Sequence, residues 1–265
     1  MRTLLFVAAL FFSFASMAQK VEPPKPAAPK AEPTKEELAK MKPEMTEFWD
    51  PEVAVVTPGQ TPLDAPSDAI VLFDGTPESF SANWTNTKGE PSGWMVADQC
   101  VTVVKKAGGI KSKVELQDFQ LHIEWRTPAE VIGESQGRGN SGIFLQGRYE
   151  LQVLDNYENR TYRNGQAGSI YKQYAPLVNV CKKPGEWQVY DIIYTAPRFK
   201  EDGTVFSPAR VTIIQNGILV QNNISLFGGT EYIGIPKYVA HGAAALELQD
   251  HGNPVSYRNI WVRKL

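Results

Sequence analysis

The residues best suited to chemistry lie in one short segment of alternating polarity, Tyr149–Leu154 (Y-E-L-Q-V-L). If this segment is a β-strand, Glu150 and Gln152 point to one side and the apolar residues between them to the other. A carboxylate beside an amide can bind a ligand rich in hydroxyl groups, because each hydroxyl both donates and accepts hydrogen bonds. The alternative is a polar strand face that simply meets water.

Two further segments show the same alternation of polar and apolar residues. One is L-E-L-Q-D-H-G, residues 246–252, and the other is F-Q-L-H-I-E-W-R, residues 119–126. The polar faces consist of Glu247, Gln249 and His251 in the first segment and of His122, Glu124 and Arg126 in the second. Such faces suit a concave sheet that binds a sugar. Nearby aromatic side chains, Tyr171 among them, could stack on sugar rings, although most are expected to serve packing.

The chain has only three histidines, and His251 is the one best placed for proton transfer. It lies at the end of a predicted strand, directly before Gly252, and an imidazole ionises near neutral pH. We interpret it as a residue that is catalytic or contacts a ligand. His122, inside a strand, is more typical of a structural surface histidine. His241 has no partner that the sequence identifies.

Sequence motifs for other chemistries are absent. The chain contains neither G-x-S-x-G nor H-E-x-x-H, and its cysteines and histidines lack the spacing of a zinc site. The segment Gly137–Gly142 is rich in glycine but precedes a strand, so it is not a phosphate loop. Its glycines predict a tight turn that exposes Asn140 and Ser141. Cys100 and Cys181 either form one disulfide or stay free.

The elements that must position these residues are predicted to be short β-strands. The predicted strands are Ile70–Phe73, Trp94–Val96, Cys100–Val104, Phe119–Arg126, Ile143–Leu145, Tyr149–Leu154, Glu186–Tyr194, Val211–Val220, Ala243–Leu248 and Tyr257–Val262. The dipeptide Asn216-Gly217 divides one of them into a hairpin. No long segment has the 3.6-residue apolar period of a helix. The predicted fold class is therefore all-β, an antiparallel β-sandwich or jelly roll.

The 265 residues divide into four predicted parts. Residues 1–18 have the positive start, apolar run and small-residue cleavage site of a secretory signal peptide, and the run is too short to span a bilayer. Residues 19–45, rich in Pro, Lys, Ala and Glu, predict an extended tether. Residues 46–67 predict an extended segment that lies against the domain, and residues 68–265 predict the sandwich. The 27 basic and 29 acidic residues nearly balance, which argues against a nucleic-acid partner.

A series of motifs in this order resembles the 3-keto-disaccharide hydrolase domain family over nearly all of residues 68–265. The motifs are L-F-D-G-T (72–76), G-W-M-V (93–96), D-F-Q-L-H-I-E-W-R (118–126), G-N-S-G-I-F-L (139–145), Y-E-L-Q-V-L-D-N (149–156), G-S-I-Y (168–171), G-E-W-Q-V-Y (185–190), N-G (216–217), L-Q-D-H-G (248–252) and Y-R-N-I-W-V (257–262). The resemblance implies a concanavalin A-like sandwich that acts, secreted or periplasmic, on glycosides with a ketone at glucose C3.

Cleavage of such a 3-keto-glycoside needs a base, an acid and groups that bind the sugar or the enolate. We look for them within the matched motifs. A C3 ketone acidifies the C2 proton, so a base can remove it while the C1 substituent leaves, and water can add afterwards. We assign His251 as the base and Glu150 as the acid, roles that could be exchanged. The expected substrate contacts are Arg126, Asn140, Gln152, Asp155, Tyr171 and Gln249.

Two other functions stay open at this point. A carbohydrate-binding, lectin-like module would use the same concave face without catalysis, since sandwich folds serve both purposes. A structural surface domain on the tether would have no pocket. No cofactor is predicted, and a divalent metal held by Glu150, Asp155 or His251 is an open alternative.

Overall fold

The computed structural model describes residues 34–265. The predicted signal peptide, residues 1–18, and residues 19–33 of the predicted tether lie outside the described residues. The chain divides into two units, one up to Ala54 and one from Val55 to Leu265. In the first unit, helix α1 (Lys35–Lys40) begins at a capping box, in which Thr34 and Glu37 exchange hydrogen bonds. A 3₁₀ turn follows at Pro43–Thr46.

The second unit consists almost entirely of β-strands. Its one α-helix in the described chain is α2 (Pro77–Asn83). The strands are β1 (Ile70–Phe73), β2 (Trp84–Asn86), β3 (Met95–Ala97), β4 (Cys100–Thr102), β5 (Ile110–Leu116), β6 (Phe119–Arg126), β7 (Ser141–Leu145), β8 (Tyr149–Val153), β9 (Gln188–Thr195), β10 (Arg198–Phe199), β11 (Val205–Ser207), β12 (Arg210–Gln215), β13 (Ile218–Ser225), β14 (Ala244–Leu248) and β15 (Ser256–Lys264). 3₁₀ turns lie at Ser135–Gly137 and Arg163–Gly165.

Two antiparallel sheets pack face to face, as the predicted sandwich requires. The large sheet has the strand order β13-β12-β9-β6-β15-β4-β3, with β1 also paired to β15, and the small sheet has the order β2-β5-β14-β7-β8. Asn216 and Gly217, both at positive φ, form the predicted hairpin turn between β12 and β13. The all-β prediction is confirmed.

Buried tyrosines of the large sheet hold the small sheet in place. Tyr190 donates a hydrogen bond from its hydroxyl to the Gln152 carbonyl at 2.8 Å, and Tyr257 donates to the Ser141 hydroxyl at 2.7 Å. Ser141 in turn donates to the Gln249 carbonyl at 2.6 Å. The two tyrosine bonds cross the apolar core, and all three satisfy hydroxyls that would otherwise be costly to bury. They fix β7, β8 and the segment after β14 relative to the large sheet.

The outer face of β6 is covered, which differs from the exposed polar face that its alternation predicted. His122 and Glu124 are both buried. The His122 ring stacks on Trp261 at 5.1 Å, and its Nδ1 lies 2.7 Å from an Asp191 carboxylate oxygen. Although burial lowers it, the hydrogen bonds with Asp191 and Glu124 leave the pKa of His122 above its ordinary value. His122 is thus a structural residue, but not a surface one.

A charged network satisfies Glu124 on this face. Arg258 donates from Nε to its carboxylate at 2.7 Å, and Asn259 donates from Nδ2 at 2.9 Å. Burial raises the pKa of the Glu124 carboxyl, but the hydrogen bonds from His122, Asn259 and Arg258 bring it down to about 2. The polar face of β6 at His122 and Glu124 is therefore a buried network in which each charge is paired within the protein.

Residues 55–67 lie on this same outer face. The Leu63 carbonyl accepts hydrogen bonds from Asn259 Nδ2 at 2.9 Å and from Trp261 Nε1 at 3.0 Å. The ends of the segment are joined by hydrogen bonds between Thr57 and Ser67. The segment thereby covers the region above His122.

The two cysteines are free rather than joined. Cys100 is buried on β4, and the Cys181 sulfur accepts a hydrogen bond from Gln215. Burial raises the pKa of the Cys181 thiol to about 11, which keeps it protonated. Across residues 34–265 no helix has both the length and the apolar character needed to cross a bilayer.

Candidate active site

A cavity of about 570 Å³ lies on the outer face of the small sheet. Six residues predicted from the sequence line it: Asn140, Glu150, Gln152, Tyr171, Gln249 and His251. Six others also line it: Gln136, Phe144, Tyr162, Lys172, Thr230 and Tyr232. The alternation of β8 sends Glu150 and Gln152 outward into this space, while Leu151 packs into the core. The cavity therefore combines acidic, basic, amide and aromatic groups.

Glu150 has the most perturbed carboxyl group in the cavity. Its side chain is only 6% exposed, and burial raises its pKa from 4.5 to about 7. No hydrogen bond or ion pair from the described part of the chain offsets that burial. The strand itself is held by Thr230, whose hydroxyl accepts the Glu150 amide at 2.9 Å. A carboxyl group that ionises near neutral pH can donate or accept a proton during catalysis.

Gly142 leaves the space that the Glu150 carboxylate occupies. Phe144 pairs with Glu150 across β7 and β8, and Gly142 pairs with Gln152. A Cβ atom on Gly142 would lie 2.7 Å from Glu150 Oε1 and 3.1 Å from the Phe144 ring. The G-N-S-G segment was predicted to expose Asn140 and Ser141, but both are buried. Asn140 is held against the cavity, and Ser141 faces the tyrosine hydroxyl of the opposite sheet.

Replacement of Gly142 by alanine is expected to displace the Glu150 carboxylate and to lower activity. A misplacement of about 1 Å can cost on the order of a hundredfold in rate. The matched control is Gly242→Ala, because Gly242 has open space around its Cβ position and no positive φ. Turnover of the two purified variants measures the difference. Equal activity in both would show that the carboxylate does not need this space.

A chain of amides fixes which atom Gln152 presents to the cavity. Asn140 donates from Nδ2 to the Gln136 carbonyl at 2.7 Å, and Gln152 donates from Nε2 to Asn140 Oδ1 at 3.0 Å. The Gln152 Oε1 atom is buried and has no hydrogen-bond partner among the described residues. Gln152 Oε1 is therefore an unsatisfied acceptor beside the cavity, which a ligand donor such as a hydroxyl would reach after a small shift of the side chain.

The segment after β14 brings Gln249 and His251 to the same cavity. The Gln249 amide donates to the Gly142 carbonyl at 2.9 Å, and its side-chain Oε1 is a second buried acceptor without a partner in residues 34–265. Asp250 braces the turn by accepting from the Gly108 and Gly252 amides at 3.0 and 2.8 Å. His251 is exposed at the cavity rim, so it can exchange a proton with solvent.

Tyrosines and one lysine form the opposite wall. The hydroxyls of Tyr162 and Tyr171 are 2.7 Å apart. The Lys172 ammonium group lies 4.2 Å from the centroid of the Tyr232 ring and donates a hydrogen bond to the Tyr232 carbonyl. This part of the lining therefore combines aromatic rings with one cation.

Arg126 and Asp155 were predicted to contact the ligand but do not line this cavity. Arg126 lies on the outer face of the large sheet, with its guanidinium 4.6 Å from the centroid of the Trp187 ring. Asp155 accepts from Arg138 Nε at 2.6 Å and from the Tyr157 amide at 3.1 Å. Its carboxylate borders a separate cavity of about 320 Å³. Arg126 is excluded because its strand belongs to the other sheet, and Asp155 is held by its ion pair with Arg138.

Comparison with known proteins gives a consistent result. The family model for the 3-keto-alpha-glucoside-1,2-lyase-like domain matches residues 68–263. A candidate glycosyl hydrolase from Parabacteroides distasonis ATCC 8503 is 54% identical, with a TM-score of 0.81 over 86% of this chain and 98% of that one. The chain belongs to the 3-keto-alpha-glucoside-1,2-lyase-like family.

A second structure from the same organism, also a candidate glycosyl hydrolase, shares the fold at 20% identity. Its TM-score is 0.54, and the match covers 75% of this chain and 94% of that one. The comparison with curated proteins gave no match.

In this 3-keto-alpha-glucoside-1,2-lyase-like domain, the three residues considered as metal ligands do not lie in one cavity. Glu150 and His251 line one cavity, and Asp155 borders the other. Within residues 34–265, no three His, Cys, Asp or Glu side chains converge closely enough to hold a metal ion. Glu247, on the same predicted face as His251, instead packs against Gly147.

Sequence reasoning assigned six of the twelve lining residues to the site and left the other six unassigned. Lys172 and Tyr232 come from loops, where no alternation indicates which way a side chain points. Thr230 belongs to the long connection between β13 and β14. The one usable signal was position: Lys172 directly follows the G-S-I-Y motif that supplied Tyr171.

Proposed function

We propose that this protein cleaves 3-keto-glucosides by removing the C2 proton and eliminating the C1 substituent. The observation that carries the proposal is Glu150, a buried carboxyl whose pKa of about 7 lies far above its ordinary 4.5, in a cavity that also contains an imidazole. A binding module needs no titratable group poised near neutral pH, whereas proton transfer does. Membership of a 1,2-lyase-like family supports elimination across C1 and C2.

The reaction proceeds in two proton transfers. His251 accepts the C2 proton, whose acidity the C3 ketone raises, and the electron pair forms an enolate with its charge on the C3 oxygen. The C1–O bond then breaks as Glu150 gives its proton to the leaving oxygen. The products are an alcohol and a 3-keto sugar with a C1–C2 double bond. Addition of water across that bond completes a net hydrolysis.

The two acceptor amides support recognition of a sugar. Gln152 Oε1 and Gln249 Oε1 are buried without partners in the described chain. An unsatisfied buried acceptor costs about 1–3 kcal/mol, which a ligand hydroxyl removes by donating a hydrogen bond. The aromatic wall supplies apolar contact for a ring face.

The proposal is tested with a 3-keto-glucoside and its unoxidised parent. Purified protein is incubated with each, and release of the leaving group is followed together with binding of both compounds. Cleavage of the keto sugar alone is the expected result, because the parent lacks an acidic C2 proton. Binding of both with cleavage of neither would overturn the proposal in favour of a lectin-like module.

A further inference from the structure

The proposed elimination places negative charge on the C3 oxygen, and a site that catalyses it must stabilise that charge. Hydrogen-bond donors held in advance at the developing oxyanion are among the largest contributions to enzymatic rates. An acceptor at this point would be repulsive. Among donors, a charged one binds an oxyanion most strongly, so a cation in the cavity is the group to look for.

The amides predicted for this task are neutral, and two of them each have one N–H engaged already. Asn140 Nδ2 donates to the Gln136 carbonyl, and Gln152 Nε2 donates to Asn140. Asn140 Oδ1 accepts the bond from Gln152, and any remaining amide N–H is an uncharged donor, weaker toward an oxyanion than an ammonium group. Arg126, the guanidinium that the sequence suggested, lies beside Trp187 on the other sheet.

Lys172 is the only lysine or arginine among the described residues that line the cavity. Its ammonium group has three donors, of which the Tyr232 carbonyl takes one. The group also lies 4.2 Å from the Tyr232 ring centroid and 5.6 Å from that of Tyr171. These contacts hold the charge at the wall while two donors stay available to a ligand.

The backbone of Lys172 is also held in an unusual conformation. Its φ is +57°, a left-handed value that is unfavourable for a side chain with a Cβ atom. The Lys172 amide donates to the Asn164 carbonyl at 2.7 Å, which maintains this turn. Such strained positions gather at functional sites, where the direction of one side chain matters more than local stability.

We propose that Lys172 is a catalytic residue whose ammonium group binds the C3 carbonyl oxygen of a 3-keto sugar and stabilises the enolate formed there. This assignment rests on the proposed function. It is separate from the proton transfers of His251 and Glu150, because Lys172 gives up no proton. It also predicts that the ketone, rather than any hydroxyl, is what the cation recognises.

The test separates enolate formation from loss of the leaving group. The 3-keto form of 1,5-anhydroglucitol has the ketone and the C2 proton but no exocyclic leaving group, so exchange of that proton in D₂O reports the enolate alone. Lys172→Met is expected to slow this exchange and the cleavage of a 3-keto-glucoside by roughly 10²–10³-fold. Lys172→Arg, which keeps a cation, should retain more activity than Lys172→Met.

A second variant guards against loss of folding. Lys172→Gly removes the side chain but suits the left-handed backbone, so it is expected to fold at least as stably as wild type. Added alkylammonium ions should restore part of its exchange rate. The matched control is Lys183→Met, which removes another lysine that lies near a tyrosine ring, 6.0 Å from that of Tyr157, but outside the cavity.

The outcomes distinguish failure of the Lys172 assignment from failure of the proposed function. In one outcome the wild type is active and both Lys172→Met and Lys172→Gly exchange the proton at the wild-type rate. This would overturn the role of Lys172 and leave the proposed function intact. Wild type that neither exchanges nor cleaves would overturn both. Slow exchange in both Lys172 variants, with normal exchange in Lys183→Met, supports the assignment.

Discussion

A Glu150→Gln variant is expected to lose cleavage activity and, at pH 8, to be more stable than wild type. The glutamine keeps the shape of the side chain but cannot give a proton to the leaving oxygen, a loss of about 10²–10⁴-fold. Its gain in stability comes from burial. The pKa of Glu150 rises from 4.5 to about 7 on folding, and each tenfold change in an ionisation constant corresponds to about 1.4 kcal/mol. The free energy of unfolding should therefore increase by about 3 kcal/mol.

The sign of this effect depends on pH. Between pH 4.5 and 7 the folded protein keeps the Glu150 proton that the unfolded chain releases, so the stability of wild type falls as pH rises through this window. Glutamine does not ionise, and the two proteins should be equally stable at pH 4. Urea unfolding at pH 4, 6 and 8 measures the difference.

The control is Glu115→Gln, which removes an exposed carboxylate from the same sheet. It should leave activity unchanged and should not reproduce the pH-dependent gain. Equal unfolding free energies of wild type and Glu150→Gln at pH 8 would mean that Glu150 is ionised at little cost. It would then not be poised as an acid.

The second large effect is expected for His251→Asn, which removes the proposed base. This variant should lose both cleavage of a 3-keto-glucoside and C2 proton exchange of the 3-keto anhydro sugar, each by about 10²–10⁴-fold. Glu150→Gln should lose cleavage but keep exchange, because the acid acts only on the leaving group. The pair of variants thus distinguishes the two roles with one isotope measurement.

His241→Asn serves as the control for His251→Asn. His241 bonds to the Tyr149 hydroxyl at 2.8 Å and does not line the cavity, so its loss should leave the exchange rate unaffected. If Glu150→Gln stops exchange while His251→Asn keeps it, the acid and base are reversed. If neither variant slows exchange, the C2 proton is removed by another group.

How much of the site could be predicted depended on which elements carry it. The alternation in β8 was sufficient to place Glu150 and Gln152 on one face, because a strand has only two faces and the apolar residues occupy the inner one. The same reasoning misplaced Arg126. Its strand belongs to the other sheet, and alternation says nothing about which sheet a strand joins.

Other features were beyond the reach of sequence patterns. Strand β5 was missed because its sequence, I-K-S-K-V-E-L, has few apolar residues, and its neighbours β2 and β14 hold it in the sheet. Lys172 reaches the cavity through a turn in which its own backbone is left-handed. That conformation is typical of glycine, so a lysine in the sequence does not predict it. The near-neutral pKa of Glu150 required its burial, which depends on the whole surrounding fold.

Glu150 is buried and His251 is exposed. If the two residues act as proposed, this contrast determines the origin of the hydrogen atoms in the product. After elimination, the imidazole holds the former C2 hydrogen and can trade it for one from bulk water. When water adds to the double bond, Glu150 takes a proton from the water and His251 returns one to C2. Both groups are then reset for another turnover. Hydrolysis in D₂O would leave deuterium on C2 of the released sugar, whereas direct displacement at C1 leaves that carbon unlabelled.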